Sequence, residues 1–149
     1  MENLNRILSC PLLAEGTNAN TFKTTYAMSY AIKGLAYYKA ATDNIAFTAG
    51  HAQIPAGYEA IIAVDIDSGG TVSTVQSNLV KTTDLANGVD QFEWPALSRD
   101  KCRIGGIRVK CQNSATFTAG STDLSATDVI DTYIHLADYP ANGEAMTLV

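Results

Sequence analysis

Along most of the chain, hydrophobic and polar positions alternate with a period of two, which predicts strands rather than helices. From Thr24 the large side chains Tyr26, Met28, Tyr30 and Ile32 alternate with Thr25, Ala27, Ser29 and Ala31, so the large set shares one face and is expected in the core. Lys33-Gly34 then supplies a tight turn into Leu35-Ala36-Tyr37-Tyr38-Lys39, which completes a hairpin. Asp43-Asn44 and Gly50 bracket a short strand over Ile45–Thr48, followed by a loop over Ala49–Gly57 that contains Pro55. A second hairpin has Tyr58–Asp65 as its first arm. There Ile61, Ile62, Val64 and Ile66 run too continuously for a one-sided strand and predict burial near the centre of a sheet. Asp67-Ser68-Gly69-Gly70 makes the turn, and Thr71–Gln76 returns with β-branched residues.

Asn78–Asp90 is mostly polar and contains Asn87-Gly88, a composition that suits either a helical turn or a surface loop. After Phe92-Glu93-Trp94-Pro95, further strands are expected at Ile104–Lys110, Ala115–Thr118 and Val129–Leu136. In the last of these, Ile130, Thr132, Ile134 and Leu136 share one face, with Val129, Asp131, Tyr133 and His135 on the other, outer one. Phe47-Thr48-Ala49-Gly50 recurs as Phe117-Thr118-Ala119-Gly120, an internal echo that hints at two related β-units. The first twenty residues hold a short apolar cluster of Ile7, Leu8, Pro11, Leu12 and Leu13 before the breaker-rich Gly16-Thr17-Asn18-Ala19-Asn20. A pattern this short does not sustain a lone helix, so residues 1–20 are expected as an extended N-terminal arm. Short strands at regular intervals separated by Gly, Asn and Asp predict an all-β fold, an antiparallel β-sandwich with the jelly roll as one form of it, over residues 21–149. At 149 residues the chain fits one domain with one core.

Composition narrows the function classes. Hydrophobic residues make up 46% and charged residues 17%, fewer charges than a typical surface carries, which suggests that some surface is meant to be covered. The net charge of −5 comes from scattered residues with no basic run to neutralise consecutive phosphates, so no direct nucleic-acid partner is expected. No stretch approaches the roughly 20 apolar residues of a membrane helix. Met1–Ala14 carries Glu2 and Arg6 where a signal peptide needs a basic start and an apolar run, so no membrane association is expected and assembly in the cytoplasm is. Cys10, Cys102 and Cys111 are odd in number and lack metal-ligand spacing, which favours buried free thiols.

Chemistry has little to work with. His51 falls in a predicted loop and His135 on the outer face of a strand, and no serine lies in a nucleophile-elbow context, so no catalytic residue is expected. Asp65 with Asp67, and Asp128 with Asp131, read as turn-making residues at strand ends rather than as acid–base or calcium pairs, since no dense calcium loop surrounds them. Gly69-Gly70 reads as a hairpin turn, and Gly105-Gly106 as a bulge or a point of close packing. No cofactor and no metal are expected.

Candidate interface residues are clearer. Ile7, Leu8, Leu12 and Leu13 are costly to leave in water, and burial on a neighbouring molecule gains about 1.5–3 kcal/mol each before ordering costs. Folding back on their own domain serves them equally. Tyr26, Tyr30, Tyr37, Tyr38 and Tyr58 form an aromatic cluster that packs a core or grips a sugar or protein, with Tyr37 and Tyr38 as the candidate contacts. Trp94, the single tryptophan, anchors an interface or closes one end of the core.

The segment WPALSRDKCRIGGIRVKCQNSATFTAGSTDLSATDVIDTYIHLADY, from Trp94 to Tyr139, resembles a segment common in bacteriophage virion structural proteins. Those segments run as a proline-leucine stretch, then Asp-Lys, then Ile-Gly-x-Ile-x-Val, then Phe-Thr-x-Gly with a Thr-x-Leu, then a Tyr-bearing strand. The stretch from Thr24 to Gln76, with its hairpin, its Pro-x-Gly loop at Pro55–Gly57 and a strand ending in Asp-x-x-Gly at Asp67–Gly70, is similar to them as well. The resemblance implies a non-enzymatic particle component on the capsid surface, a cement or decoration protein. Its implied partners are the phage major capsid protein and its own copies, as a dimer or trimer. The rival expectations are a tail or head-fibre component that contacts the host surface, and a carbohydrate-binding module.

Overall fold

The computed structural model describes residues 5–136; residues 1–4 and 137–149, and with them the end of the domain expected over 21–149, lie outside the described residues. Within them the chain forms β1 (Arg6–Ile7), β2 (Leu13–Glu15), β3 (Phe22–Thr24), β4 (Met28–Ile32), β5 (Leu35–Lys39) and β6 (Thr42–Ile45). It continues through β7 (Tyr58–Asp67), β8 (Val72–Gln76), β9 (Val80–Lys81), α1 (Thr82–Ala86), β10 (Lys101–Cys111) and β11 (Val129–His135). The fold is all-β and antiparallel. A main sheet runs β11-β10-β7-β8, with β9 also on β7, and two smaller sheets run β1-β4-β5 and β2-β3-β6. The opposing layer is thus divided, and these registers do not include the two four-stranded sheets of a jelly roll.

The continuous apolar run in β7 does what its composition predicts, since Glu59 through Ile66 are all buried. Its core-side residues Ile62, Val64 and Ile66 join Cys102, Ile104, Ile107, Val109 and Cys111 of β10. Against them pack Leu13, Phe22, Met28, Tyr30 and Ile32 from the smaller sheets, which makes the sandwich. Phe47 and Phe117, the leading residues of the Phe-Thr-Ala-Gly echo, meet edge to face at 6.4 Å in this core. Each motif is a turn that ends on a positive-φ glycine, Gly50 at 91° and Gly120 at 82°. The repeat therefore marks two like turns that each deliver a phenylalanine inward.

The β4–β5 hairpin forms as its pattern predicts. Lys33 and Gly34 both take positive φ, 52° and 80°, the signature of a primed two-residue turn, and Ile32 pairs with Leu35. Tyr26 departs from the pattern: β4 begins at Met28, so Tyr26 precedes the strand and is exposed, while Met28, Tyr30 and Ile32 are buried.

Three other expectations shift, and one open stretch is resolved. The strand placed at Ile45–Thr48 is Thr42–Ile45, because Thr42 and Ile45 pair with Thr24 and Phe22. Thr48 instead exchanges two 2.9 Å amide-to-hydroxyl bonds with Thr74. Ala115–Thr118 makes only an isolated bridge, Phe117 to Ile54. Asn78–Asp90 holds the helical turn α1, one of the two readings its composition allowed, preceded by the short strand β9. In β11 the faces are reversed: Val129 is buried and Tyr133 packs on the core, while Ile130 is exposed. The cause is register, because Val129 and Tyr133 sit opposite Cys111 and Ile107, both core residues, and cross-strand partners share a face. His135 therefore lies on the core side, opposite Gly105, rather than on the outer face.

The N-terminal segment lies on its own domain. Arg6 and Ile7 pair with Ala31 and Tyr30, and Leu13–Glu15 pair with Phe22–Thr24.

Candidate protein-interaction surface

The candidate interface residues divide into two groups. Leu13 is buried in the core, seated over Gly105, where an added Cβ would lie 2.6 Å from its Cδ1 and 2.7 Å from the Ile134 carbonyl oxygen. Ile7 packs on the core, and Tyr37 stacks on Tyr30 with ring centroids 5.5 Å apart. Trp94 rests on the opposite face of β10, where a Cβ on Gly106 would come within 2.8 Å of its ring. Adjacent glycines thus form two seats, one per face of the sheet, for Leu13 and Trp94. A register shift between Arg103 and Gly105 adds the bulge, so both readings of the glycine pair hold. These four side chains pack within the fold, the alternative that the sequence left open for the N-terminal leucines, the tyrosines and Trp94.

Leu8, Leu12 and Tyr38 remain at the surface, with 49%, 37% and 70% of their areas exposed. Leu8 and Tyr38 flank Ser29: the Leu8 amide donates to the Ser29 carbonyl at 2.9 Å, and Tyr38 is the cross-strand partner of Ser29. Leu12 stands between buried Pro11 and Leu13 with φ at 52°, a conformation that is strained for a leucine. Amides of Thr25 and Tyr26 donate to the Leu12 and Pro11 carbonyls, which ties exposed Tyr26 beside exposed Leu12. Apolar surface thus gathers along the outer side of the N-terminal segment and the β4–β5 hairpin.

The other face of the main sheet carries a feature that sequence reading missed. Asp65 and Glu59, 2% and 1% exposed, are buried carboxylates, so Asp65 is not the turn-maker its place beside Asp67 predicted. Asp65 faces its cross-strand partner Arg103, which grips both carboxylate oxygens at 2.9 and 3.3 Å and donates to the Pro95 carbonyl at 2.7 Å. Arg108 reaches diagonally to Glu59 at 2.6 Å. The guanidiniums lie over aromatic rings, Arg103 at 5.6 Å from Trp94 and Arg108 at 5.4 Å from Phe92. The available signal was charge at alternate positions inside an otherwise apolar strand pair. Asp67 does make its turn, its Oδ1 accepting from Gly69 and Thr71 amides, and Asp128 sits at φ 63° before β11.

The potential chemical groups are engaged structurally. His51 Nε2 lies 2.8 Å from the Thr74 hydroxyl, and burial holds its pKa below the ordinary value. Burial, with Asp65 adding to it, pushes the Cys102 thiol up to about 12, and burial also raises Cys111; Cys10 is half-buried. Asp43 accepts from the Thr17 hydroxyl and amide, which lowers its pKa and fixes the turn after β2. Among the described residues no group of three or more His, Cys, Asp or Glu converges as a metal site, and no helix is long and apolar enough to cross a membrane. Comparison with known proteins finds no matching family, no matching curated protein and no matching solved structure.

Proposed function

We propose that this chain is a non-enzymatic structural protein of a bacteriophage particle, a decoration protein that binds the assembled capsid and bridges neighbouring copies of the major capsid protein. The observation that carries the reading is the exposed apolar surface around Leu8, Tyr38, Leu12 and Tyr26, mounted on a rigid β-scaffold. The low charge content and the likeness of Thr24–Gln76 and Trp94–Tyr139 to phage virion segments support it. The mechanism is mass action: a protein that binds only the assembled shell raises the stability of that shell.

The test is copy number per purified particle by quantitative mass spectrometry, together with heat release of the genome from particles stripped of the protein and then given it back. Hundreds of copies and restored heat resistance are expected. Leu8→Asp, at a half-exposed position, is expected to fold and to lose shell binding. A dozen or fewer copies with an unchanged head would move the protein to a tail or fibre role, and glycan binding lost in Tyr38→Ala would make it a carbohydrate-binding module.

A further inference from the structure

Among the described residues the outer edge of β5 is unpaired. β4 covers one side of Leu35–Lys39, and among the described residues no backbone hydrogen bond reaches the other side. The primed turn makes Ile32 and Leu35 the first hydrogen-bonded pair, so alternation directs the bonds of Tyr37 and Lys39 to β4 as well. The N–H and C=O groups of Ala36 and Tyr38 therefore point away from the sheet, at two exposed residues. Proteins commonly blunt such edges with proline, a bulge, inward charge or very short strands. β5 has no proline and an unbroken register, and its single charge, Lys39, stands at its end. By contrast β1 spans only two residues, and the β8 edge is engaged by Thr48 through Thr74.

We propose that β5 joins two copies of this chain by antiparallel pairing of this edge about a twofold axis at Tyr37. The proposal names the self-partner of the particle protein and rests on that reading for its biological use. The second copy is favoured because the strand is self-complementary. Pairing about Tyr37 sets Ala36 opposite the partner's Tyr38 on both sides of the axis, so the outward donors and acceptors meet in phase. A small residue then lies beside a large one. Lys39 falls opposite Leu35, so no like charges meet. Leu35 is 64% exposed in one copy, and the aliphatic stem of the opposing lysine would cover it. The smaller sheet β1-β4-β5 would continue through both copies, and both Leu8–Tyr38 rows would lie on one face.

Sedimentation of the full chain across concentration is expected to show a reversible dimer, and Ala36→Lys is expected to abolish it. Register is tested in a Cys10→Ser background with Ala36→Cys and Tyr38→Cys made separately. Facing Cα atoms in a hydrogen-bonded pair are about 5.5 Å apart, within disulfide reach, whereas two copies of the same substituted residue sit on the diagonal beyond it. Oxidation should therefore cross-link an equal mixture of the two variants and neither one alone. A protein monomeric at every concentration, or a dimer that survives Ala36→Lys and gives no mixed cross-link, would overturn the proposal. A dimer that fails to bind shells would leave the pairing standing and sink the particle reading; a monomer that binds them would do the reverse.

Discussion

Replacing Arg103 with alanine should be the most damaging single change on the far face of the main sheet. Asp65 is 2% exposed, so removing its partner leaves a carboxylate with little water and no counter-charge. Breaking a buried pair from one side costs about 3–5 kcal/mol, and removing both partners is often near neutral. The same substitution also loses the bond to the Pro95 carbonyl, about 1 kcal/mol, and the stacking on Trp94, about 0.5–1 kcal/mol. Taking the lower end of each because the guanidinium is itself partly accessible, a loss of about 4.5 kcal/mol is expected. In a chain of this size that corresponds to a fall in Tm of roughly 9–18 °C.

Urea unfolding followed by both far-ultraviolet circular dichroism and tryptophan fluorescence separates the contributions, because Trp94 is the sole tryptophan and lies in the loop that Arg103 holds. In Arg103→Ala the fluorescence should shift before the dichroism does, as the loop leaves the sheet ahead of global unfolding. The double variant Asp65→Asn/Arg103→Met should recover most of the lost stability without restoring the loop signal. A loss under about 1 kcal/mol with unchanged Trp94 emission would refute the reasoning, as would a double variant no more stable than the single one.

Burial favours neutral His51, so the folded protein binds fewer protons there than the unfolded chain; stability is full above the ordinary value of 6.5 and falls as pH drops toward the lower folded value. His51→Gln should flatten that slope in pH-dependent melting, and an unchanged slope would remove His51 as its source. A thiol reagent should modify one cysteine quickly in the native protein, half-buried Cys10, and reach Cys102 and Cys111 only on unfolding; fast reaction of all three would contradict the packing. Gly105→Ala should cost about 1–3 kcal/mol in denaturant titration, since its Cβ meets a backbone oxygen at 2.7 Å, while Gly69→Ala, with only an Asp67 side-chain oxygen at 3.3 Å, should be nearly neutral. Asn5→Ala should speed hydrogen exchange at the Lys33 amide, which donates to the Asn5 side-chain Oδ1 at 2.7 Å; unaltered exchange would show that the turn does not depend on Asn5.

Local signals were legible where local chemistry decides the outcome. Lys33-Gly34 and Asp67–Gly70 are set by positive φ and by side chains that satisfy nearby amides, and both are found as read, whereas the two Phe-Thr-Ala-Gly repeats, whose first residues were expected in strands, are turns. The centrality of β7 was legible because a strand buried on both faces needs apolar residues at consecutive positions. The inward face of β11 was not, because Val129 and Ile130 are both apolar and only the register against β10 selects between them. Leu13 and Trp94 were left open between core and interface for a related reason. A large side chain without a local partner looks available, and its seat is a glycine more than ten residues away in sequence, invisible until the sheets are stacked. The buried Arg–carboxylate pairs likewise depend on which charges face each other across β7 and β10.

The segment read as an arm explains how the two sides of the molecule are connected. Asn5 donates through Nδ2 to the Arg99 and Lys101 carbonyls at 2.7 and 2.8 Å, and accepts through Oδ1 from the Lys33 amide in the β4–β5 turn. Lys33 also forms an ion pair with Asp100. The connection between Pro95 and β10 is thus held twice, by Arg103 at Pro95 and by Asn5 at Arg99 and Lys101. The second anchor is shared with the hairpin whose edge and outer face carry the proposed contacts. Because that ion pair is exposed, it contributes little by itself. The Asn5 amide does more, since it satisfies three backbone groups at fixed geometry and so sets the direction in which the hairpin leaves the sandwich. On this argument the N-terminal segment acts as a brace rather than a reaching arm, and the apolar residues left exposed along it, Leu8 and Leu12, are presented from a fixed scaffold, which lowers the ordering cost of any contact they make.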